Sequence, residues 1–279
     1  VPKTFLTGLI GAPIAHSAAP AMHEQAARDL GVHCDYQLIE VAGADREKLR
    51  AVLDEVRRLG FAGVNVTYPY KEAVVSLLDE LWRDAGAIGA VNTVVLREGR
   101  LIGYNTDSTG FARAAADIAG DFGAGSMALI GAGGVGKAIA FALAGLGVAE
   151  LRIFDSDPAK AQHLRMLLGS LIGAVVVDSV EEAVRGATGL INATPMGMLP
   201  GRESPVPETL LHGGLWVADA VYYPLWTPLL LAAKAAGARV MTGRDLAIHQ
   251  AADAFELFTG LKPSTLEMGK AFDRVMGED

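Results

Sequence analysis

Gly131-Ala132-Gly133-Gly134-Val135-Gly136 follows the apolar run Ser126 to Ile130, opens a helix-like stretch from Lys137 to Leu146, and precedes a second strand-like run ending at Asp155. Glycine-rich turns are common by themselves. A strand before the turn, a helix after it and an acid closing the next strand together form the fingerprint of a dinucleotide site in a doubly wound sheet. In such a unit the first glycine permits the tight turn, the second lets backbone approach the pyrophosphate, and the third lets the helix pack closely on the strand. The helix N-terminus then faces the phosphates. The competing reading is a strand, turn and helix with no ligand, and the flanking context favours the dinucleotide.

The acid selects between the two nicotinamide cofactors. In Leu151-Arg-Ile-Phe-Asp155-Ser-Asp157 the first aspartate ends an alternating apolar run, where a carboxylate accepts hydrogen bonds from ribose hydroxyls and repels a 2′-phosphate. Arginine usually answers that phosphate, yet Ser156, Asp157 and Pro158 follow, and the nearest cations are Lys160 and Arg165. NAD is the expected cofactor, with NADP as the alternative. Asp155 or Asp157 also suits the N-cap of a helix beginning near Pro158, and for Asp157 that role alone is sufficient.

Length and charge bound the rest. A chain of 279 residues exceeds one comfortable core, so one large or two smaller domains are expected. Its 24 Lys and Arg against 32 Asp and Glu give a net charge of −8 with no dense basic tract, which argues against a nucleic-acid partner. The single cysteine, Cys34, precludes an intrachain disulfide, and neither it nor the six histidines offer a metal-binding spacing; no metal is expected. The opening Val-Pro-Lys-Thr-Phe-Leu has no signal pattern, and the missing initiator Met points to processing or trimming. The most apolar stretch, Met127 to Leu151, is interrupted by glycines, Lys137 and Glu150 and reads as a buried strand and helix, not a membrane span. A cytoplasmic location with no membrane partner is expected.

Strand and helix signals alternate through the first hundred residues. Phe5 to Ile10, Tyr36 to Val41 and Phe61 to Thr67 read as strands, and Val91 to Leu96 with Leu101 to Tyr104 as a hairpin around Arg97-Glu-Gly-Arg100. Pro20 to Leu30, Asp45 to Leu59 and Lys71 to Leu81 read as helices, Gly31 and Gly60 closing the first two. Beyond Thr109, strands near Met127, Ile153, Val175, Leu190, Val217 and Arg239 alternate with helical runs, and Leu246 to Asp279 reads as helical. The expected fold is α/β with two domains around a cleft, the strand-free C-terminus returning to the first.

Several short segments carry a more specific signal. Gly11-Ala-Pro-Ile-Ala-His16-Ser17, Asn65-Val-Thr67-Tyr-Pro69-Tyr-Lys71, Gly89-Ala-Val-Asn92-Thr93, Gly103-Tyr-Asn105-Thr106-Asp107, Asn192-Ala-Thr-Pro-Met-Gly197, Asp219-Ala-Val-Tyr222-Tyr-Pro224 and Gln250-Ala-Ala occur in that order. Together they resemble the ordered motifs of the shikimate/quinate dehydrogenases over nearly the whole chain. The resemblance implies an N-terminal α/β substrate domain, 1–106 plus 247–279, and a Rossmann-type dinucleotide-binding domain, 107–246. It implies reversible NAD(P)-dependent oxidation of the C3 hydroxyl of shikimate or quinate, a small ring hydroxy-carboxylate, by a monomer or homodimer.

Oxidising a secondary alcohol requires a hydride acceptor over the carbon and a group that removes the hydroxyl proton. Spacing alone reads Lys71 as a solvated residue in a first helical turn and Asp107 as an N-cap. The resemblance reverses both, making Lys71 the acid/base and Asp107 its orienting, proton-sharing partner. It assigns Ser17, Thr67, Asn92, Tyr222 and Gln250 to the substrate, and adds Thr194, Val221 and Gly243 to Gly131–Gly136 and Asp155 as cofactor-binding residues. His16 stays outside the catalytic set. The alternatives are an NADP-dependent shikimate dehydrogenase of aromatic amino-acid biosynthesis, a catalytically silent cofactor-binding regulator on the same fold, and a Rossmann dehydrogenase with an unrelated substrate.

One departure bears on specificity. The family's first motif commonly carries a second hydroxyl two positions after the serine, whereas this chain runs Ser17-Ala18-Ala19-Pro20. Losing a hydrogen bond to a carboxylate weakens binding by on the order of 1.5–3 kcal/mol unless another group replaces it. Shikimate, quinate and an amino-substituted relative all stay open as the ring.

Overall fold

A computed structural model describes residues 3–119 and 125–277. In chain order the first elements are β1 (Thr4–Gly11), α1 (Ala19–Asp29), β2 (His33–Glu40), α2 (Arg46–Leu59), β3 (Gly63–Val66), β4 (Glu80–Leu81), α3 (Arg83–Ile88), β5 (Thr93–Arg97) and β6 (Arg100–Tyr104). Then come α4 (Thr106–Ala119), β7 (Ser126–Ile130), α5 (Gly134–Gly145), β8 (Glu150–Phe154), α6 (Pro158–Leu168), β9 (Gly173–Val176) and α7 (Val180–Val184). The chain closes with β10 (Gly189–Asn192), β11 (Trp216–Asp219), α8 (Pro228–Ala235), β12 (Arg239–Met241), α9 (Gly243–Thr259) and α10 (Thr265–Met276). Two compact α/β units result, one of Val1–Thr106 with Ile248–Asp279 and one of Asp107–Ala247.

The first unit is built on a six-stranded sheet ordered β2-β1-β3-β5-β6-β4. β1 pairs in parallel with β2 and β3, while β5 runs antiparallel between β3 and β6. Leu49, Leu53 and Val56 recur at helical spacing on α2 and pack against Ile10, Val64, Val66 and Val94 of the sheet. Asp45 caps α2 by accepting from the Glu47 and Lys48 N–H groups. On the other face Phe258 of α9 lies so close to the sheet that a Cβ at Gly63 would meet its ring at 2.4 Å. α10 packs on α1, where Arg274 donates to Gln25 at 3.2 Å.

The expected helix from Lys71 to Leu81 does not form. This segment is a turn, a single 3-10 turn at Val75–Leu77, and the short strand β4. Its backbone is captured by β6: the Asp79 N–H donates to Leu101 O at 3.0 Å and the Trp82 N–H to Gly103 O at 2.8 Å. The Asp79 carboxylate also accepts from the Leu101 N–H at 2.7 Å. Pairing with a strand edge outweighs a helical propensity worth only tenths of a kcal/mol per residue.

The second unit is a fully parallel, doubly wound sheet ordered β12-β11-β10-β7-β8-β9. The chain starts at the centre on β7, moves outward through β8 and β9, then returns to the other side of β7 for β10. That reversal puts a topological switch point between β7 and β10, the place where open α/β sheets bind ligands at the carboxyl ends of their strands. α5 and α6 contribute Ile139, Leu143, Leu164 and Leu168 to one face, and α7 and α8 contribute Ala183, Val184, Leu229 and Leu230 to the other. Among the described residues no helix is long and apolar enough to cross a membrane.

Candidate active site

In the first unit the sheet brings loops together at one edge. β1 and β3 end there, and β5, running the opposite way, begins there, so Ser17, Thr67, Lys71 and Asn92 share that edge. A Cβ at Gly11 would fall 2.3 Å from Thr67 Cγ2, so the loop after β1 touches the loop after β3. The Ala12 N–H donating to Tyr68 O at 3.1 Å joins the same two loops. Ser17 is half-buried, and its Oγ accepts from the Ala19 N–H at 3.2 Å. Half-buried Lys71 is held by its carbonyl, which accepts from the Val91 N–H at 2.8 Å, one residue before Asn92. His16 is exposed in the loop after β1.

Asn92 is buried at the centre of a polar cluster. Its Nδ2 donates to Thr106 Oγ1 at 2.9 Å and to Gln250 Oε1 at 3.4 Å, and its Oδ1 accepts from the Thr106 N–H at 2.7 Å. The structure thus joins two of the expected substrate residues, Asn92 and Gln250. Asn65, buried on β3, donates to Thr93 Oγ1 at 3.1 Å and accepts from Tyr36 OH at 2.8 Å. Asn65 and Thr106 had no assigned role in the sequence. The signal that finds them is a buried amide or hydroxyl at a strand end, which must be hydrogen-bonded and therefore organises its neighbours.

In the second unit the glycine turn has the expected shape. Gly131 has φ +102°, and an added Cβ would lie 2.9 Å from the Ala193 carbonyl; at Gly136 it would lie 2.1 Å from Gly131 O. At Gly133 it would meet nothing within 4 Å. Neither Gly131 nor Gly136 tolerates a side chain, while the face at Gly133 is open, as close approach of a pyrophosphate to backbone requires. α5 begins at Gly134, and its first-turn N–H groups, including those of Val135 and Gly136, have no acceptor within the helix.

Asp155, just beyond β8, reaches back to this turn: its Oδ2 accepts from the Ala132 N–H at 2.7 Å and its Oδ1 from the Asp157 N–H at 2.8 Å. Asp157 caps α6 by accepting from the Ala159 N–H at 3.0 Å, with Pro158 at the first helical position. Asp107 lies buried in the first turn of α4. Thr194 follows β10, Val221 and Tyr222 follow β11, and Gly243 opens α9. A Cβ on Gly243 would sit 2.5 Å from Val221 O. Among the described residues no group of three or more His, Cys, Asp or Glu could hold a metal ion.

Residues 9–94 match the model of the shikimate dehydrogenase substrate binding domain. A quinate/shikimate dehydrogenase (NAD(+)) of Corynebacterium efficiens is 45% identical over 96% of this chain and 98% of its own length. The chain belongs to the shikimate/quinate dehydrogenase family. A shikimate dehydrogenase (NADP(+)) of Streptomyces avermitilis is 41% identical over 95% of this chain and 94% of its own. Among solved structures, quinate dehydrogenase from Corynebacterium glutamicum in complex with NAD superposes with a TM-score of 0.89 at 40% identity, covering 97% of this chain and 99% of that one. Family membership makes the first unit an α/β substrate domain and the second a Rossmann-type domain.

Proposed function

We propose that this chain is a reversible dehydrogenase that oxidises the C3 hydroxyl of shikimate or quinate to the 3-dehydro ketone, with NAD preferred over NADP. The observation that carries the reading is Asp155, a carboxylate held against the glycine turn through the Ala132 N–H at 2.7 Å. Negative charge there favours a ribose diol and opposes a 2′-phosphate. The 45% identical relative named for NAD supports the same choice.

The residues present fit the dinucleotide. The Gly131–Gly136 turn and the first turn of α5 would hold the pyrophosphate, Asp155 the adenosine ribose, and Thr194, Val221 and Gly243 the other half. When bound, the nicotinamide supplies the hydride acceptor. Lys71 acts at Nζ, taking the ring hydroxyl proton during oxidation and returning it during reduction. Asp107 is its carboxylate partner, orienting the ammonium and sharing the proton. Ser17, Thr67, Asn92, Tyr222 and Gln250 orient the ring through neutral hydrogen bonds. Asn92 acts at least partly through Gln250, whose Oε1 it holds at 3.4 Å.

Incubating the purified protein with NAD and shikimate or quinate tests the reading. One 3-dehydro product should appear for each NAD reduced. Cofactor binding without turnover would leave a cofactor-binding regulator in place of an enzyme.

A further inference from the structure

Asp219 ends β11, lies directly across the ladder from Asn192 at the end of β10, and is 2% exposed. Its Oδ1 accepts from Asn192 Nδ2 at 2.9 Å and from the Val221 N–H at 2.9 Å, and its Oδ2 accepts from Thr227 Oγ1 at 2.8 Å. Each partner governs a different segment at the carboxyl edge of the sheet. Asn192, its amide orientation fixed, accepts at Oδ1 from the Thr194 N–H at 3.0 Å and from the Thr194 hydroxyl at 2.7 Å. The Thr194 Oγ1 in turn accepts from the Met196 N–H at 3.1 Å. This loop lies against the glycine turn, since a Cβ at Gly131 would be 2.9 Å from Thr194 Cγ2. The Val221 N–H fixes the loop carrying Tyr222, whose Val221 carbonyl abuts Gly243. Thr227 caps α8 by accepting from the Leu230 N–H at 3.3 Å.

We infer that Asp219 is a positioning residue for the dinucleotide: through Asn192 and the Val221 N–H, one buried carboxyl group sets the Thr194 and Val221–Tyr222 loops against the glycine turn. This rests on reading the second unit as the cofactor domain. The carboxyl acts as an acceptor hub, and its charge is dispensable. Burial pushes the Asp219 pKa up to about 7, so the neutral form is accessible in the fold. An asparagine at 219 keeps the geometry. Its single oxygen can accept from Asn192 and Val221, and its amide can donate to Thr227, whose hydroxyl reverses its role. An alanine takes the acceptor from the buried Val221 N–H and Thr227 hydroxyl and leaves Asn192 Nδ2 with Met196 O at 3.1 Å, the expensive outcome.

The test is calorimetric titration of NAD, without ring substrate, into the parent, Asp219→Asn, Asp219→Ala, Asn192→Ala and Thr227→Val, with folding checked by circular dichroism. Asp219→Asn should bind within about threefold of the parent, and Asp219→Ala about tenfold or more weaker. Thr227→Val loses the cap bond and the donation to Asp219 Oδ2 but leaves the Asn192 and Val221 bonds to Asp219 in place, so it should lower Tm and leave Kd within about threefold of the parent. Asn192→Ala removes the bonds to Thr194, Met196 O and Asp219 while leaving the Val221 and Thr227 bonds to Asp219 in place, and should weaken NAD about tenfold even if Asp219→Ala does not fold. The inference is overturned if folded Asp219→Ala, or Asn192→Ala, binds like the parent, or if Asp219→Asn binds as weakly as Asp219→Ala. It also falls if Thr227→Val weakens NAD as much as Asp219→Ala, since Asp219 would then be general structural support. A parent that binds neither NAD nor NADP overturns the proposed function itself. A parent that binds only NADP overturns the cofactor choice, and the same titrations with NADP then decide the role of Asp219.

Discussion

The Asp155 carboxylate accepts the Ala132 N–H at 2.7 Å, so the acid expected to read the ribose also fixes the turn expected to hold the pyrophosphate. The two roles separate by substitution. Asp155→Asn keeps an oxygen for Ala132 and removes the charge, so kcat/KM should shift toward NADP with little loss of overall activity. Asp155→Ala removes both and should raise KM for either cofactor. Steady-state kinetics with both cofactors measures this, and an unchanged NAD to NADP ratio in Asp155→Asn contradicts the charge mechanism.

Lys71→Ala should lower kcat by about 10²–10⁴, the usual contribution of a positioned proton-transfer group. NAD affinity, measured by calorimetry, should stay as in the parent, because the glycine turn and Asp155 are untouched. Asp107→Asn should also slow turnover and raise KM for the ring. A Lys71→Ala enzyme that turns over shikimate and quinate normally would remove the lysine from the mechanism.

Position 19 sets the strength of carboxylate binding in this account. Ser17 Oγ already accepts from the Ala19 N–H at 3.2 Å, and Ala19 opens α1 without a hydroxyl. Ala19→Ser should lower KM for shikimate by about tenfold, the lower end of what a hydrogen bond to a charged group contributes, with kcat nearly unchanged. Equal KM values would mean that another group already satisfies the carboxylate.

His23 makes acid stability testable. Both ring nitrogens lie buried without a hydrogen-bond partner, and the ring packs 4.6 Å from Tyr36 and 5.9 Å from Phe255 and Phe258. Burial lowers its pKa to about 3. Between that value and about 6.5 the unfolded chain holds the proton and the folded chain does not, so stability falls as pH falls. From pH 7 to pH 5 the loss from this group is about 2 kcal/mol. Asp219, raised to about 7, acts in the opposite direction, because the folded state holds that proton more tightly. The difference between parent and His23→Leu in urea melts at the two pH values isolates the histidine, and the variant should lose less stability by about that amount.

Local signals revealed the elements whose contacts are local. The strand, glycine turn and helix at Met127 to Leu146, and the Pro158 start of α6 with Asp157 as its cap, need only neighbours in sequence. The segment after Lys71 forms no helix because its hydrogen bonds go to Leu101 and Gly103, partners no local pattern reveals. Asn192 and Asp219 lay inside conspicuous motifs, yet their pairing across 27 residues follows only from the register of β10 and β11. Ser17, Thr67, Lys71 and Asn92 could be chosen by family resemblance, but not the Thr106 and Asn65 bonds that hold Asn92 and its neighbours in place.

Ring and cofactor preference are read together from kcat/KM of the parent for shikimate and quinate, each with NAD and with NADP. Turnover of at least one ring, with the larger value for NAD, is the predicted result. A larger value for NADP with both rings, or no turnover with any of the four pairs, would contradict the account.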